Sequence, residues 1–277
     1  MEALKVDLAE SFVGLNSAAA KQKRHKRFKI PHTCPEDYTE RLVQLDSQRY
    51  VMCGIRHMNL NPERPFIDLR ANFALSGADI VEEIYGQIAS HFAVFKPQSL
   101  SVQARKPLVP SVGSVYLVQS ARVIQNLPPW PEESDLQLQQ VTRPGYFEPY
   151  QKGYASFHGR NPHLAECVPA NPIEVMEESR EAGLLYAMLL AGESVGLIAA
   201  VQSEFLGHAG LYFNEIFIAE PHTGKGLAKA FQRKFIAQCA APDTIVWGTV
   251  DAQNIPSFKT ARANLRRPIR YESFVSI

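Results

Sequence analysis

Residues 211–240 place a strand, a glycine turn and an amphipathic helix in direct succession, and that succession most narrows the folds open to the chain. The run Leu211–Ala219 is rich in β-branched and aromatic residues and stops at Glu220-Pro221, where proline removes the next ladder donor. Leu227, Phe231, Phe235 and Cys239 then recur every four residues, which is one apolar stripe on a helix over about residues 225–240. The stripe must be buried, and the strand just before it offers the nearest apolar surface. A sheet covered by helices follows, so the expected fold class is α+β, a mixed α/β architecture.

The rest of the chain divides around this segment. Pro128, Pro129 and Pro131 fall in five residues beginning at Leu127; none can donate to a ladder or continue a helix. The expected boundary lies there, between a smaller α/β domain over 30–126 and a domain over 135–277. In the first, Arg49–Arg56, Pro65–Arg70, Ser99–Ala104 and Ser114–Ile124 read as strands. Asp79–Phe92 reads as a helix, with Ile80, Ile84, Ile88 and Phe92 on one stripe, and Ser76 to Asp79 as its N-cap. In the second, Leu136–Val141 is a strand, Tyr146–Phe157 and Pro172–Ala182 are helices, and Leu184–Leu190 and Ser194–Gln202 form a hairpin through Gly192-Glu193. After the helix that follows the glycine turn come strand Thr244–Val250, helix Pro256–Asn264 and strand Tyr271–Val275.

Residues 1–29 read as a weakly structured arm carrying the basic cluster Lys21 to Arg27. Like-charge blocks usually stay solvated, so a nucleic-acid role is the lesser reading. Over the whole chain, 29 Lys+Arg against 28 Asp+Glu give +1, which argues against a polyanion-binding surface. No apolar run is long enough to span a bilayer, and Glu2, Lys5, Asp7 and Glu10 interrupt any signal-like start. The four cysteines are scattered without a CxxC, so neither a disulfide scaffold nor structural zinc is expected. A cytoplasmic protein without a membrane partner is the expectation.

The glycine turn carries the chemistry. Helix N-termini leave amides unpaired and bear partial positive charge, and glycines let a phosphate approach those amides. A Walker A loop is excluded because Leu227 follows Gly226; a dinucleotide fingerprint is excluded because Lys229 holds its third glycine position.

The stretch instead resembles motif A of the GNAT superfamily of acetyl-CoA-dependent N-acetyltransferases, whose pyrophosphate loop reads [QR]-x-x-G-x-[GA]. Thr223-Gly224-Lys225-Gly226-Leu227-Ala228 matches at Gly226 and Ala228, with Thr223 in place of Gln or Arg. The resemblance implies a cofactor contact set of Phe217, Ile218, Ala219, Thr223, Gly224, Lys225, Gly226, Leu227, Ala228 and Lys229. Downstream, Asn254-Ile255-Pro256-Ser257 is similar to motif B, which implies that Asn254, with Ser257, meets the pantetheine where two parallel strands splay. The resemblance covers about 135–277. Residues 30–126 are then an accessory domain or a degenerate second GNAT-like half; they show no glycine cradle.

The same resemblance implies direct attack of an amine on the acetyl thioester in a ternary complex. Glu215 is the candidate base, with Asn214 at the neighbouring position where family members place a Glu; one residue reverses the strand face unless a bulge compensates. No Tyr stands where the family's general acid is expected, and Ser257 reads as a helix cap. Tyr146, Phe147, Tyr150, Tyr154 and Phe157 read as acceptor-pocket or core residues. Lys225, Lys229 and Arg233 read as a basic stripe beginning at the loop, Arg233 as solvated, and Cys239 as core. The expected function is acetyl transfer from acetyl-CoA to a small-molecule or protein amine, with a homodimer open. The alternative is a catalytically silent acyl-CoA-binding protein.

Overall fold

The computed structural model describes residues 2–75 and 77–277; Ser76, part of the expected N-cap, lies outside them. The chain forms two compact units, residues 1–114 with 270–277, and residues 115–269.

In the first unit, α1 (Glu2–Leu15) and α2 (Ala18–Phe28) replace the expected loose arm. Ser17 Oγ accepts from Ala20 N at 3.2 Å and caps α2. Asn16 then fastens the helical pair to the backbone of Glu40, donating to its carbonyl at 3.1 Å and accepting from its amide at 2.7 Å. The basic cluster is thus two-sided: Arg24 binds the buried Glu40 carboxylate at 2.7 Å, while Lys23 and Arg27 stay exposed.

Strands β1 (Arg41–Gln44), β2 (Tyr50–His57) and β3 (Pro65–Ala71) pair antiparallel in sequence order. Helix α3 (Ala78–Ile88) crosses to β4 (Ser99–Ala104), which pairs parallel with β3 from Phe66↔Ser99 to Leu69↔Val102. Val81, Ile84 and Ile88 are fully buried on the sheet with Phe92 and Phe95, the outcome of their helical spacing. The final residues, 271–276, pair antiparallel with β4.

The second unit begins inside β5 (Val112–Ser120), and the expected strand over Ser114–Ile124 ends early in helix α4 (Ala121–Gln125). β6 (Leu136–Gln140) is followed by α5 (Phe147–Arg160) and α6 (Ile173–Glu181). Then β7 (Leu185–Leu190), β8 (Glu193–Gln202) and β9 (Gly210–Ile218) pair antiparallel in order, with Ala191 and Gly192 at positive φ turning the first hairpin. Helix α7 (Leu227–Cys239) crosses to β10 (Ile245–Asp251), parallel to β9. Helix α8 (Ile255–Ala263) and β11 (Arg267–Ser276) complete the chain.

Each unit therefore contains the same run: three antiparallel strands, a helix, and a strand parallel to the third. In the second unit α7 packs one face of the sheet with Phe213, Phe231 and Phe235. The other face carries α5 and α6 through Tyr150, Tyr154 and Met176.

The unit boundary falls at Ser114/Val115 rather than in the proline segment, and the last eight residues belong to the first unit. The proline segment is no linker because α7 holds it. Arg233, expected to be solvated, is 8% exposed; its guanidinium meets Glu133 at 2.8 Å and donates to the carbonyl of Leu127. Trp130 Nε1 donates to Asn264 Oδ1 at 3.1 Å. Among the described residues no helix is long and apolar enough to cross a membrane, and no group of three His, Cys, Asp or Glu side chains is placed to hold a metal.

Candidate active site

β9 organises the site through an irregularity. Its pairing with β8 passes from Ala199↔Glu215 directly to Ala200↔Phe213, leaving Asn214 as the extra residue of a bulge. A bulge resets the two-residue alternation of side chains. Leu211 and Phe213 before it, and Ile216 and Ile218 after it, all pack on the α7 side, whereas Phe217 packs on the α5 side. Asn214 and Glu215 are adjacent yet both reach the α5–α6 side. Asn214 Nδ2 donates to Ser179 Oγ of α6 at 2.9 Å.

The Glu215 carboxylate, 7% exposed, accepts hydrogen bonds from Tyr150 Oη at 2.5 Å, Tyr154 Oη at 3.0 Å and Asn171 Nδ2 at 3.3 Å. Burial pushes its pKa above the ordinary value, and the donors oppose that shift only in part. The same burial and the carboxylate charge raise the pKa of both tyrosines. Tyr150 Oη also accepts from the amide of Asn171 at 2.8 Å, so the network joins α5, the segment before α6, and β9. Phe217 stacks on Tyr154 with ring centroids 5.3 Å apart. Gly153 permits this: a Cβ there would stand 2.4 Å from Phe217 Cζ.

Beyond β9 the chain makes a 3-10 turn at Glu220–His222, closed by Thr223, whose Oγ1 donates to the carbonyl of Glu220 at 3.0 Å. Gly224 and Gly226 both have φ of 76°, a conformation that L side chains occupy at a cost. Among the described residues, no carbonyl or side chain accepts from the amides of Gly224, Lys225, Gly226, Leu227 or Ala228. A cluster of open donors thus stands at the N-terminus of α7, and nothing lies within 4 Å of a Cβ built at Gly224.

The other side of the loop is occupied. A Cβ at Gly226 would stand 2.6 Å from Glu132 Oε1. Lys229 Nζ lies 3.5 Å from that carboxylate and 3.8 Å from the centroid of the Trp130 ring, so Lys229 is turned toward the proline segment, while Lys225 is exposed on the loop. Trp130 and Glu132 are additions that the sequence did not signal; their link to the turn is a tertiary contact across about a hundred residues.

Pairing between β9 and β10 ends at Tyr212↔Trp247, although β9 runs to Ile218 and β10 to Asp251. The two parallel strands therefore splay, with Tyr212 Oη and Thr249 Oγ1 hydrogen-bonded at 3.0 Å where they part. Asn254 follows β10, and its Oδ1 accepts from Ser257 N at 3.2 Å, capping α8. Ser257 is the capped residue rather than the cap expected of it.

The structure thus gathers Phe217, Ile218, Ala219 and residues 223–228 along the end of β9 and the start of α7, with Asn254 and Ser257 at the end of β10. Asn214 and Glu215 lie at the bulge. Asn171 was missed because its only local signal is the following Pro172. Asp251, whose pKa is raised by burial with the Cys167 thiol beside it, was also missed.

No protein-family model and no curated protein matches the sequence. Solved structures do match. An acetyltransferase of the GNAT family from Colwellia psychrerythraea superposes with a TM-score of 0.53 at 11% identity, covering 94% of this chain and 96% of that one. A GCN5-related N-acetyltransferase from Sphaerobacter thermophilus gives 0.50 at 12% identity, covering 95% and 94%. At such identities the likeness is one of fold, and it extends beyond residues 135–277 to both units.

Proposed function

From the GNAT fold that this chain adopts over nearly its whole length, we propose that it transfers an acetyl group from acetyl-CoA to a primary amine. Fold alone does not supply the activity. The observation that carries the reading is the set of open amides at residues 224–228, at the start of α7 and at the end of a bulged strand that splays from its parallel neighbour. Open amides on an α-helix N-terminus fit a diphosphate, since donors and helix dipole favour the same charge. Gly224, with no neighbour within 4 Å of a Cβ, leaves room for that approach.

In this reading Gly224 to Ala228 hold the diphosphate, and the exposed Lys225 adds charge. Bound acetyl-CoA would supply an activated thioester. The backbone of Phe217 to Ala219 and the Asn254 amide orient the pantetheine arm across the splay. Glu215 takes the proton of the attacking amine, directly or through water, as the C–N bond forms and the thioester C–S bond breaks. CoA leaves as the thiolate, protonated from solvent; the raised pKa makes the ionised carboxylate a stronger proton acceptor. Tyr150, Tyr154 and Asn171 fix the carboxylate and Asn214 is the bulge residue that aims it.

A second reading has its own support: a catalytically silent acyl-CoA binder. Every donor around Glu215 is already engaged with it, and the carboxylate is buried. Thiol release from acetyl-CoA over a panel of small and peptide amines separates the two. Amine-dependent release that falls in Glu215→Gln supports transfer. Binding without release for any amine supports the silent reading.

A further inference from the structure

The first unit contains a cavity of about 310 Å³ under α2, beside the end of β2 and the start of β3. Its walls have two characters. Phe28, Ile55 and Phe66 give an apolar body. Lys23, Arg24, Arg27 and Arg56 give four positive charges around it. One carboxylate oxygen serves two of them: Glu40 Oε1 lies 2.7 Å from both Arg24 Nη1 and Arg56 Nη1. Asp68 stands further off, 3.8 Å from Arg56, and is shared with Arg70. Lys23 and Arg27, one helical turn apart, have no ion pair among the described residues.

His57 also lines this cavity. It is 6% exposed, and neither ring nitrogen has a hydrogen-bond partner. Arg24 Nε is likewise buried and unpartnered. Buried polar groups are nearly always satisfied, so orphans of this kind beside a cavity mark a missing partner. The His57 ring stacks on Phe28 at 4.0 Å, which makes a flat apolar surface next to the orphan nitrogens. Burial holds the imidazole pKa down at about 4, so at neutral pH the ring is uncharged and offers one N–H donor.

We propose that this cavity binds a small organic carboxylate with an aromatic or branched aliphatic body. The carboxylate meets the Lys23, Arg27 and Arg56 charges, beside the buried, unpartnered nitrogens of His57 and Arg24; guanidinium groups suit such an anion through paired donors. The body packs on Phe28 and Phe66. The site shares no residue with the turn at 224–228 and does not depend on the acetyltransferase reading. Nor is it a second phosphate cradle: its lining from α2 is Lys23, Arg24, Arg27 and Phe28, the C-terminal part of that helix, which presents no open N-terminal amides.

The test is calorimetric titration of the full chain with benzoate and, separately, 3-methylbutanoate, against benzamide and inorganic phosphate. The expected result is one site for benzoate and 3-methylbutanoate, about tenfold or more tighter than for benzamide or phosphate, and weakened by salt. Lys23→Gln with Arg27→Gln, both on exposed positions, should weaken benzoate by about tenfold while the melting temperature holds. Benzoate should also shift the His57 ring signals in an NMR titration. The proposal is overturned by no binding of either carboxylate, by benzamide or phosphate binding equally well, or by an unchanged affinity in a folded double variant.

Discussion

Gly224 and Gly226 share a φ of 76° but not their surroundings, and replacing each by alanine separates backbone strain from crowding. An L residue in this region costs about 1–2 kcal/mol, while removing a glycine from the unfolded chain returns about 0.4–1 kcal/mol. Gly224→Ala, with nothing within 4 Å of the new Cβ, should therefore lose only about 0.5–1 kcal/mol. At Gly226 the same methyl stands 2.6 Å from Glu132 Oε1 and 3.0 Å from Lys229 Cε. Both are ends of flexible side chains, so they move; what is lost is their partly buried ion pair, about 0.2–1 kcal/mol. Gly226→Ala should then lose about 1–2 kcal/mol in all. Urea unfolding measures both. In a Glu132→Ala background the extra loss at Gly226 should vanish and the two alanine variants become equal. Equal losses without Glu132→Ala, or an excess at Gly226 that survives it, would refute the reasoning.

Glu215→Gln should lower kcat by about a hundredfold or more and leave acetyl-CoA affinity within about twofold, measured by thiol release and calorimetry. The same variant bears on pH. The raised folded pKa of Glu215 means that the native state binds the proton more tightly than the unfolded chain, so stability falls as pH rises from 4.5 through that raised value. Glu215→Gln should flatten this part of the urea midpoint-against-pH curve. Gly153→Ala gains about 1 kcal/mol of helix propensity, but its Cβ meets the Phe217 ring at 2.4 Å and overpacking costs about 1–3 kcal/mol. The variant should be destabilised, and Phe217→Leu should reverse the sign. Arg233→Ala leaves Glu133 buried and unpaired, with a loss of about 3 kcal/mol by urea unfolding; Arg233→Met with Glu133→Gln should recover most of it.

What the sequence showed plainly was periodic. The stripe Leu227, Phe231, Phe235 and the strand before it fix the crossover, and the Gly-x-Gly turn fixes where amides lie open. The Asn214 bulge was not legible as such, because it is defined by the partner strand: only the pairing with Ala199 and Ala200 shows that two adjacent residues share a face. Tyr150 and Tyr154 are spaced to lie on one helix face, yet their common acceptor sits more than sixty residues away. Arg233 read as solvated because its carboxylate partner, Glu133, hides in the proline segment. The N-terminal helices were obscured by their charge, which looks like a solvated tail until Glu40 and Asn16 are placed. Local pattern thus revealed the elements, and long-range polar pairing stayed out of reach.

The central claim is that the Gly224–Ala228 turn holds the diphosphate of acetyl-CoA. Calorimetric titration of acetyl-CoA into the full chain, with CoA and ATP for comparison, tests it most directly. The account predicts one site at about micromolar Kd, CoA comparable, ATP about tenfold weaker or worse, and no binding to a folded Gly226→Asp variant. No heat with acetyl-CoA, or an affinity that Gly226→Asp leaves unchanged, would contradict it.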